Sequence, residues 1–196
     1  MTRFEYDSIR RPLFNAFTAQ ALSRQDVEQA GHPNPEEIAD PYNVRLVLRG
    51  RRRMIRAPEN YTGVYDNGRM VAFLKTGDWN IPDELPFSTE DERTALEALA
   101  EDGFVTTPQE KLGIFGLVIV NTLPQDAQFE IADRLLDIAT DRGLHLGKSA
   151  INITFHEKDT VTAVAKEHGF AFTGRIGQPN GVPGIDQRLY SKPLDL

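Results

Sequence analysis

The sequence predicts an α/β protein, a mixed central β-sheet flanked by helices on both faces, and three observations carry that prediction. The run KLGIFGLVIV (111–120) is apolar almost throughout, as a strand covered on both faces must be. In YTGVYDNGRMVAFLKTG, Asn67-Gly68 separates two runs of strand-forming residues, and that dipeptide accepts the positive φ angles of a tight hairpin turn. After residue 111, strand-like and helix-like patterns alternate until two strand-like runs close the chain.

The elements follow in order. RPLFNAFTAQAL (11–22) sets Leu13, Phe14, Phe17 and Leu22 near one side at helical spacing, which predicts a helix. GHPNPEEIADPY (31–42), punctuated by three prolines, reads as a break followed by a short helical turn. After the hairpin, DWNIPDELPF is loop, and STEDERTALEALAEDG is a helix with Thr89 and Glu92 as a capping box and Gly103 as its stop. The strand 111–120 then runs through NTLPQDAQ into a helix that carries Phe129, Ala132, Leu135, Leu136 and Ala139 on one side and is expected to end near Gly143. SAINITF is a strand with Ile151, Ile153 and Phe155 on one face, and DTVTAVAKEHGF is a short helix for which Asp159 supplies a cap. FAFTGRI and DQRLYSK close the chain as two strands joined by the turn-rich GQPNGVPG. No repeat or low-complexity linker divides the chain, so one domain is expected over 1–196, with a helical N-terminal part (1–59) and a sheet core (60–194).

Composition narrows the function. A 196-residue chain suffices for one domain that buries roughly 70% of its unfolded surface, and 40% hydrophobic with 26% charged residues is globular rather than disordered. Cysteine is absent, which excludes disulfides and thiolate metal sites and fits a cytoplasmic chain. The histidines, at 32, 145, 156 and 168, include no helical metal pair, so no metal is expected. No apolar run approaches the ~18 residues of a membrane span, and MTRFEYDSIRRPLF lacks an apolar signal core.

A net charge of −7 argues against general nucleic-acid binding. RLVLRGRRRMIR nevertheless concentrates Arg45, Arg49, Arg51, Arg52, Arg53 and Arg56, either as a solvated face or as an anion-binding edge for a phosphate, an acidic partner or RNA. Conversely, KTGDWNIPDELPFSTEDE gathers Asp78, Asp83, Glu84, Glu90, Asp91 and Glu92, either solvated surface or a patch that attracts a cationic amine.

The C-terminal stretch GFAFTGRIGQPNGVPGIDQRLYSKPL has Gly169-Phe170 after the last helix, Gly174-Arg175 at the next strand and Asp186 before the final one. With the strand–helix–strand–helix unit before it, this ordered set resembles the GNAT acetyltransferase family over about residues 60–194. The resemblance implies direct transfer of an acetyl group from acetyl-CoA to the primary amine of a small molecule or peptide. It places Val118, Ile119 and Val120 on the strand that pairs with the pantetheine arm and supplies an amide for the thioester oxygen. The following loop of the family wraps the pyrophosphate with amides at a helix N-terminus. That implies contacts at Gln125, Asp126, Ala127, Gln128 and Phe129, with Lys158 as either a partner for a CoA phosphate or a surface lysine.

The loop departs from the family pattern, since Pro124, Asp126 and Gln128 stand where glycines are expected. Proline removes an amide donor, and a carboxylate in the first turn of a helix is itself a good cap. The junction therefore reads either as a degenerate pyrophosphate site or as an ordinary capped turn. The family's tyrosine that protonates the departing thiolate falls on Ala165 here. For proton transfer the chain offers His156, whose ordinary pKa of ~6.5 suits a base, together with Glu130 and Tyr190. Each has a plainer reading, as a loop histidine, a surface acid at a helix start and a core aromatic. Two other function classes stay open: a binding or regulatory protein on the same scaffold that has lost CoA catalysis, and an RNA or acidic-partner binder. A homodimer is a further expectation.

Overall fold

A computed structural model of the chain describes residues 17–23, 25, 33–38, 47, 54–79, 110–156, 160–176 and 187–195. Among the described residues seven strands form one sheet: β1 (Phe17–Ala21), β2 (Tyr61–Asp66), β3 (Arg69–Asp78), β4 (Lys111–Ile119), β5 (Ala150–His156), β6 (Ala171–Ile176) and β7 (Gln187–Pro193), in the order β1-β2-β3-β4-β5-β7-β6. Helix α1 (Gln125–His145) follows β4 and helix α2 (Thr160–Glu167) follows β5. The β4–β5 pair is parallel, whereas β1–β2, β2–β3, β5–β7 and β6–β7 are antiparallel, so the sheet is mixed as the sequence predicts. Two compact units make up the chain: Met1–Lys75 with Gly116–Leu135, and Thr76–Phe115 with Leu136–Leu196.

In the first unit, the β2–β3 hairpin turns at Asn67 (φ 48°) and Gly68 (φ 80°), the two positive φ angles that the turn demands. The helix expected over 11–22 gives way, over its described part, to strand β1. Phe17–Ala21 pairs with Tyr61–Asp66 in a five-residue antiparallel register from Phe17↔Asp66 to Ala21↔Thr62. Periodicity alone cannot separate helix from strand in so short an apolar run, and here cross-strand hydrogen bonds decide. The short turn foreseen after the prolines is a 3₁₀ turn at Pro35–Glu37, capped by the Asn34 side chain, which accepts from the Glu36 N–H at 3.2 Å. Leu22, Val64, Met70, Phe73, Val118, Val120, Ile131 and Leu135 fill this unit's interior.

In the second unit, Lys111–Ile114 pairs in register with Ala150–Ile153. Register partners share a face, and successive residues alternate faces. Leu112, Ile114, Ile151 and Ile153 therefore lie on one side, which the C-terminal half of α1 covers. There Gly143 lets α1 approach closely, since a Cβ at that position would lie 2.7 Å from Leu194 and 3.4 Å from Ile151. Gly143 is thus a packing glycine in the last turn of the helix, which ends near it as expected. The chain leaves α1 at His145, and Gly147 (φ 64°) makes the turn beyond it. The described end of α2 adjoins the same helix, with His168 Nδ1 3.7 Å from Asp137 Oδ1. Lys111, Gly113, Phe115 and Asn152 take the opposite face, where the Phe115 ring folds back over Gly113 and stacks on Trp79 (centroids 5.8 Å, interplanar 9°). The expected helix over 89–103, the cap Asp159 and the loop 177–184 lie outside the described residues.

Gly113 is held by this aromatic stack, because an added Cβ would sit 2.6 Å from Phe115 and 3.0 Å from Trp79. We expect Gly113→Ala to cost about 1–3 kcal/mol by overpacking. Chemical denaturation measures the loss, and a changed emission of Trp79, the sole tryptophan, locates it.

Candidate functional site

The candidate site is built where β4 ends. Val120 N–H donates to the Val71 carbonyl of β3 at 2.9 Å, and Asn121 N–H donates to the Glu37 carbonyl at 2.7 Å. Successive peptide groups of a strand point to opposite edges. Val118, like Val120, therefore directs its backbone toward β3, and Ile119 directs its N–H and C=O to the other edge. Of the three residues expected to meet a cofactor with their backbone, only Ile119 has that orientation, and Leu117, two residues earlier, shares it. The Val118 and Val120 side chains are wholly buried, which fixes the strand's rotation. Glu37 is itself held by an ion pair with Arg69.

Residues 121 and 122 turn the chain, Leu123 is half-buried, and Pro124, Gln125 and Asp126 are exposed. The first bond of α1 runs from Gln128 N–H to the Pro124 carbonyl at 3.0 Å, and the Gln128 side chain donates from Nε2 to the Leu123 carbonyl at 2.7 Å. Gln128 thus braces the loop from behind, where the family pattern has glycine. The N–H groups of Gln125, Asp126 and Ala127 precede the first intrahelical acceptor, so they are the orphan donors of the helix start. Asp126 does not cap them: its carboxylate is exposed and forms no hydrogen bond or ion pair among the described residues. A 21-residue helix thus begins with three amides that have no intrahelical acceptor and with the positive end of its dipole, and one exposed carboxylate stands beside them. Ala127 is buried and Phe129 half-buried, so their side chains anchor the turn.

The remaining candidates fall elsewhere. Glu130 is buried at 6% exposure, not the surface acid that its place near the helix start suggests. His156 is the last residue of β5, paired with Gln187, and its side chain lies outside the described residues, as does all of Lys158. Tyr190 is buried on β7, shares the α1 face with Ile153, and meets Phe172 edge-on at 5.8 Å. Ala165 is fully buried in α2. Of the arginine cluster only Arg56 is described, and it is exposed. Of the acidic loop only Asp78 is described, in an ion pair with Lys148. The described residues hold no group of three or more metal-ligating side chains and no helix long and apolar enough to cross a membrane.

Two features were not foreseen, the backbone clamp from Glu37 at the end of β4 and, in the second unit, the buried polar Asn152. Asn152 did leave a trace, as the one amide side chain between Ile151 and Ile153.

No protein-family model matches the chain, and no curated protein matches its sequence. Solved structures do resemble it. The yncA protein of Salmonella typhimurium, solved with its cofactor acetyl-CoA, superposes with a TM-score of 0.60 over 92% of this chain and 95% of its own at 15% identity. A mosquito arylalkylamine N-acetyltransferase like 5b gives 0.60 over 91% and 100% at 15% identity. The NatC complex bound to Gag peptide and CoA gives 0.57 over 91% and 99% at 13% identity. The chain has the fold of the GNAT N-acetyltransferases, and the resemblance carried by Gly169-Phe170, Gly174-Arg175 and Asp186 holds at that level.

One buried charge in the β4 strand has a measurable signature. Lys111 is 4% exposed, and burial lowers its pKa from the ordinary 10.5, with Glu110 acting the other way. Between the lowered value and 10.5 the unfolded chain binds more protons than the folded one, so this residue makes stability rise with pH through that window. We expect Lys111→Met to remove that contribution. Urea denaturation of both proteins from about pH 8 to about pH 10 should show their difference in stability shrinking as pH rises.

Proposed function

We propose that the chain is a single acyltransferase domain that moves an acetyl group from acetyl-CoA directly to a primary amine. The observation that carries this reading is the end of β4: a strand whose Ile119 peptide turns away from β3, followed at once by a helix whose first three amides have no capping side chain among the described residues. Those amides suit a diphosphate, and the Ile119 N–H suits the thioester oxygen as negative charge develops on it. Gln125, Asp126 and Ala127 contribute backbone donors, while Gln128 and Phe129 keep the turn in shape. The solved proteins of this fold include one bound to acetyl-CoA and one bound to CoA with a peptide, and another is an arylalkylamine transferase. An amine acceptor, small or peptidyl, follows by analogy of fold.

The attacking amine must lose a proton. We assign that step to His156 at the end of β5, and give the buried Glu130 and Tyr190 packing roles. With Ala165 in the tyrosine's place, no side chain of α2 supplies the thiolate with a proton at that position, and transfer relies on solvent there. General acids of this kind contribute ~10²–10⁴-fold, so turnover is expected to be slow rather than absent.

A second reading, a binding or regulatory protein that has lost ordinary CoA catalysis, is favoured by one observation, the Asp126 carboxylate beside the amides that would hold the phosphates. Calorimetric titration with acetyl-CoA separates the two. Binding by the natural chain, tightened about two- to fivefold by Asp126→Asn, supports the transferase; that gain corresponds to the ~0.3–1 kcal/mol by which one charge interacts with a helix end. No heat at millimolar acetyl-CoA, with heat appearing in Asp126→Gly, supports the second reading.

A further inference from the structure

Arg69 stands where the β2–β3 hairpin re-enters the sheet, and its register partner across the turn is Asp66. Asp66 is the nearest carboxylate in sequence, yet the Asn67 side chain donates to it from Nδ2 at 2.9 Å. Arg69 instead forms an ion pair with Glu37, 32 positions earlier, through Nη2 and Oε2. Glu37 is thereby fixed at three points. Its N–H donates to the Asn34 carbonyl at 2.9 Å, its carboxylate meets Arg69, and its carbonyl accepts from the Asn121 N–H at 2.7 Å. The 3₁₀ turn that carries it is three residues long, with Glu36 exposed and Ile38 buried behind it. A 3₁₀ turn has poor hydrogen-bond geometry of its own, so the place of its last carbonyl depends on what holds its side chains. Hairpin, turn and strand terminus all belong to the first unit.

We infer that Arg69 is a positioning residue for the β4–α1 junction. From the hairpin, through Glu37, it fixes the Asn121 N–H, and with it the Ile119 peptide and the start of α1. The Arg69 side chain is 54% and that of Glu37 18% exposed. An ion pair so open to water adds little to global stability; its contribution is to choose where the Glu37 carbonyl stands. This link is a matter of contacts within the chain and holds whatever the junction binds. Its consequence for acetyl-CoA rests on the transferase reading: Arg69, without touching the ligand, sets the fraction of molecules whose junction is ready to receive it. Because the link is an exposed ion pair, salt screens it, and the order of the junction falls as ionic strength rises.

Hydrogen exchange of the Asn121 amide, read by NMR, tests the link, with the urea midpoint as the measure of global stability. In Arg69→Ala and in Glu37→Ala the Asn121 N–H is expected to exchange about two- to fivefold faster at low salt. The urea midpoint and the exchange of the β5–β7 amides stay as they were, and the charge-swapped chain, Glu37→Arg with Arg69→Glu, returns to slow exchange. An Asn121 amide indifferent to Arg69→Ala overturns the proposal, as does an acceleration shared equally by the β5–β7 amides, or a swapped chain that exchanges as fast as the single variants. Calorimetric titration reads the consequence: acetyl-CoA affinity falls by the same factor in Arg69→Ala and recovers in the swapped chain. Full affinity in Arg69→Ala overturns the role of Arg69 in binding. A natural chain that binds no acetyl-CoA refutes the transferase reading instead, and the exchange of Asn121 then decides the link by itself.

Discussion

The architecture of the candidate site depends on one pair of hydrogen bonds, Val120 N–H to Val71 and Asn121 N–H to Glu37. A strand's peptides alternate, so fixing one of them fixes the sense of all its neighbours. With Val120 committed to β3, Ile119 has no choice of direction, and the buried side chains of Val118 and Val120 keep the strand from rolling. The Asn121 bond then ends the strand and sets the point from which α1 must start. Everything chemical that the β4–α1 junction offers, an outward peptide followed by orphan amides, is a consequence of that commitment rather than of any reactive side chain.

Backbone chemistry of this kind tolerates sequence change, and the loop illustrates how. Glycines are useful at a phosphate loop because they let a ligand approach the backbone. Here Pro124 and Gln128 occupy such places and contribute differently: the proline ends the extended segment, and the glutamine holds the Leu123 carbonyl at 2.7 Å. Asp126 is the one substitution that acts on charge. Its exposure matters, because a solvated carboxylate is screened by salt and by water, whereas a buried one would close the helix end outright.

Much of the fold could be read directly. Asn67-Gly68 announced its turn because only a few residues accept those angles, and the run from Lys111 to Val120 announced a strand buried on both faces. Phe17–Ala21 misled because five residues carry too little periodicity to distinguish one turn of helix from a short edge strand. Gly143 marked the end of α1 to within two residues, but its close packing against Leu194 is not legible until that neighbour is in place. At the candidate site, the strand-to-helix junction itself was legible, but the direction of the Ile119 peptide was not, since backbone orientation leaves no residue signature. The burial of Glu130 and Tyr190 likewise depends on what packs over them, which is a property of the fold and not of their spacing.

The Glu37 carbonyl that holds Asn121 comes from a segment more than eighty positions upstream in the chain. That segment lies before the stretch, about residues 60–194, over which the family resemblance runs. Yet its carbonyl is what finishes the central strand. Cutting the protein back to residues 60–194 would therefore not yield a minimal folded core; it would release the terminus of the middle strand and blur the very spot where the next helix begins.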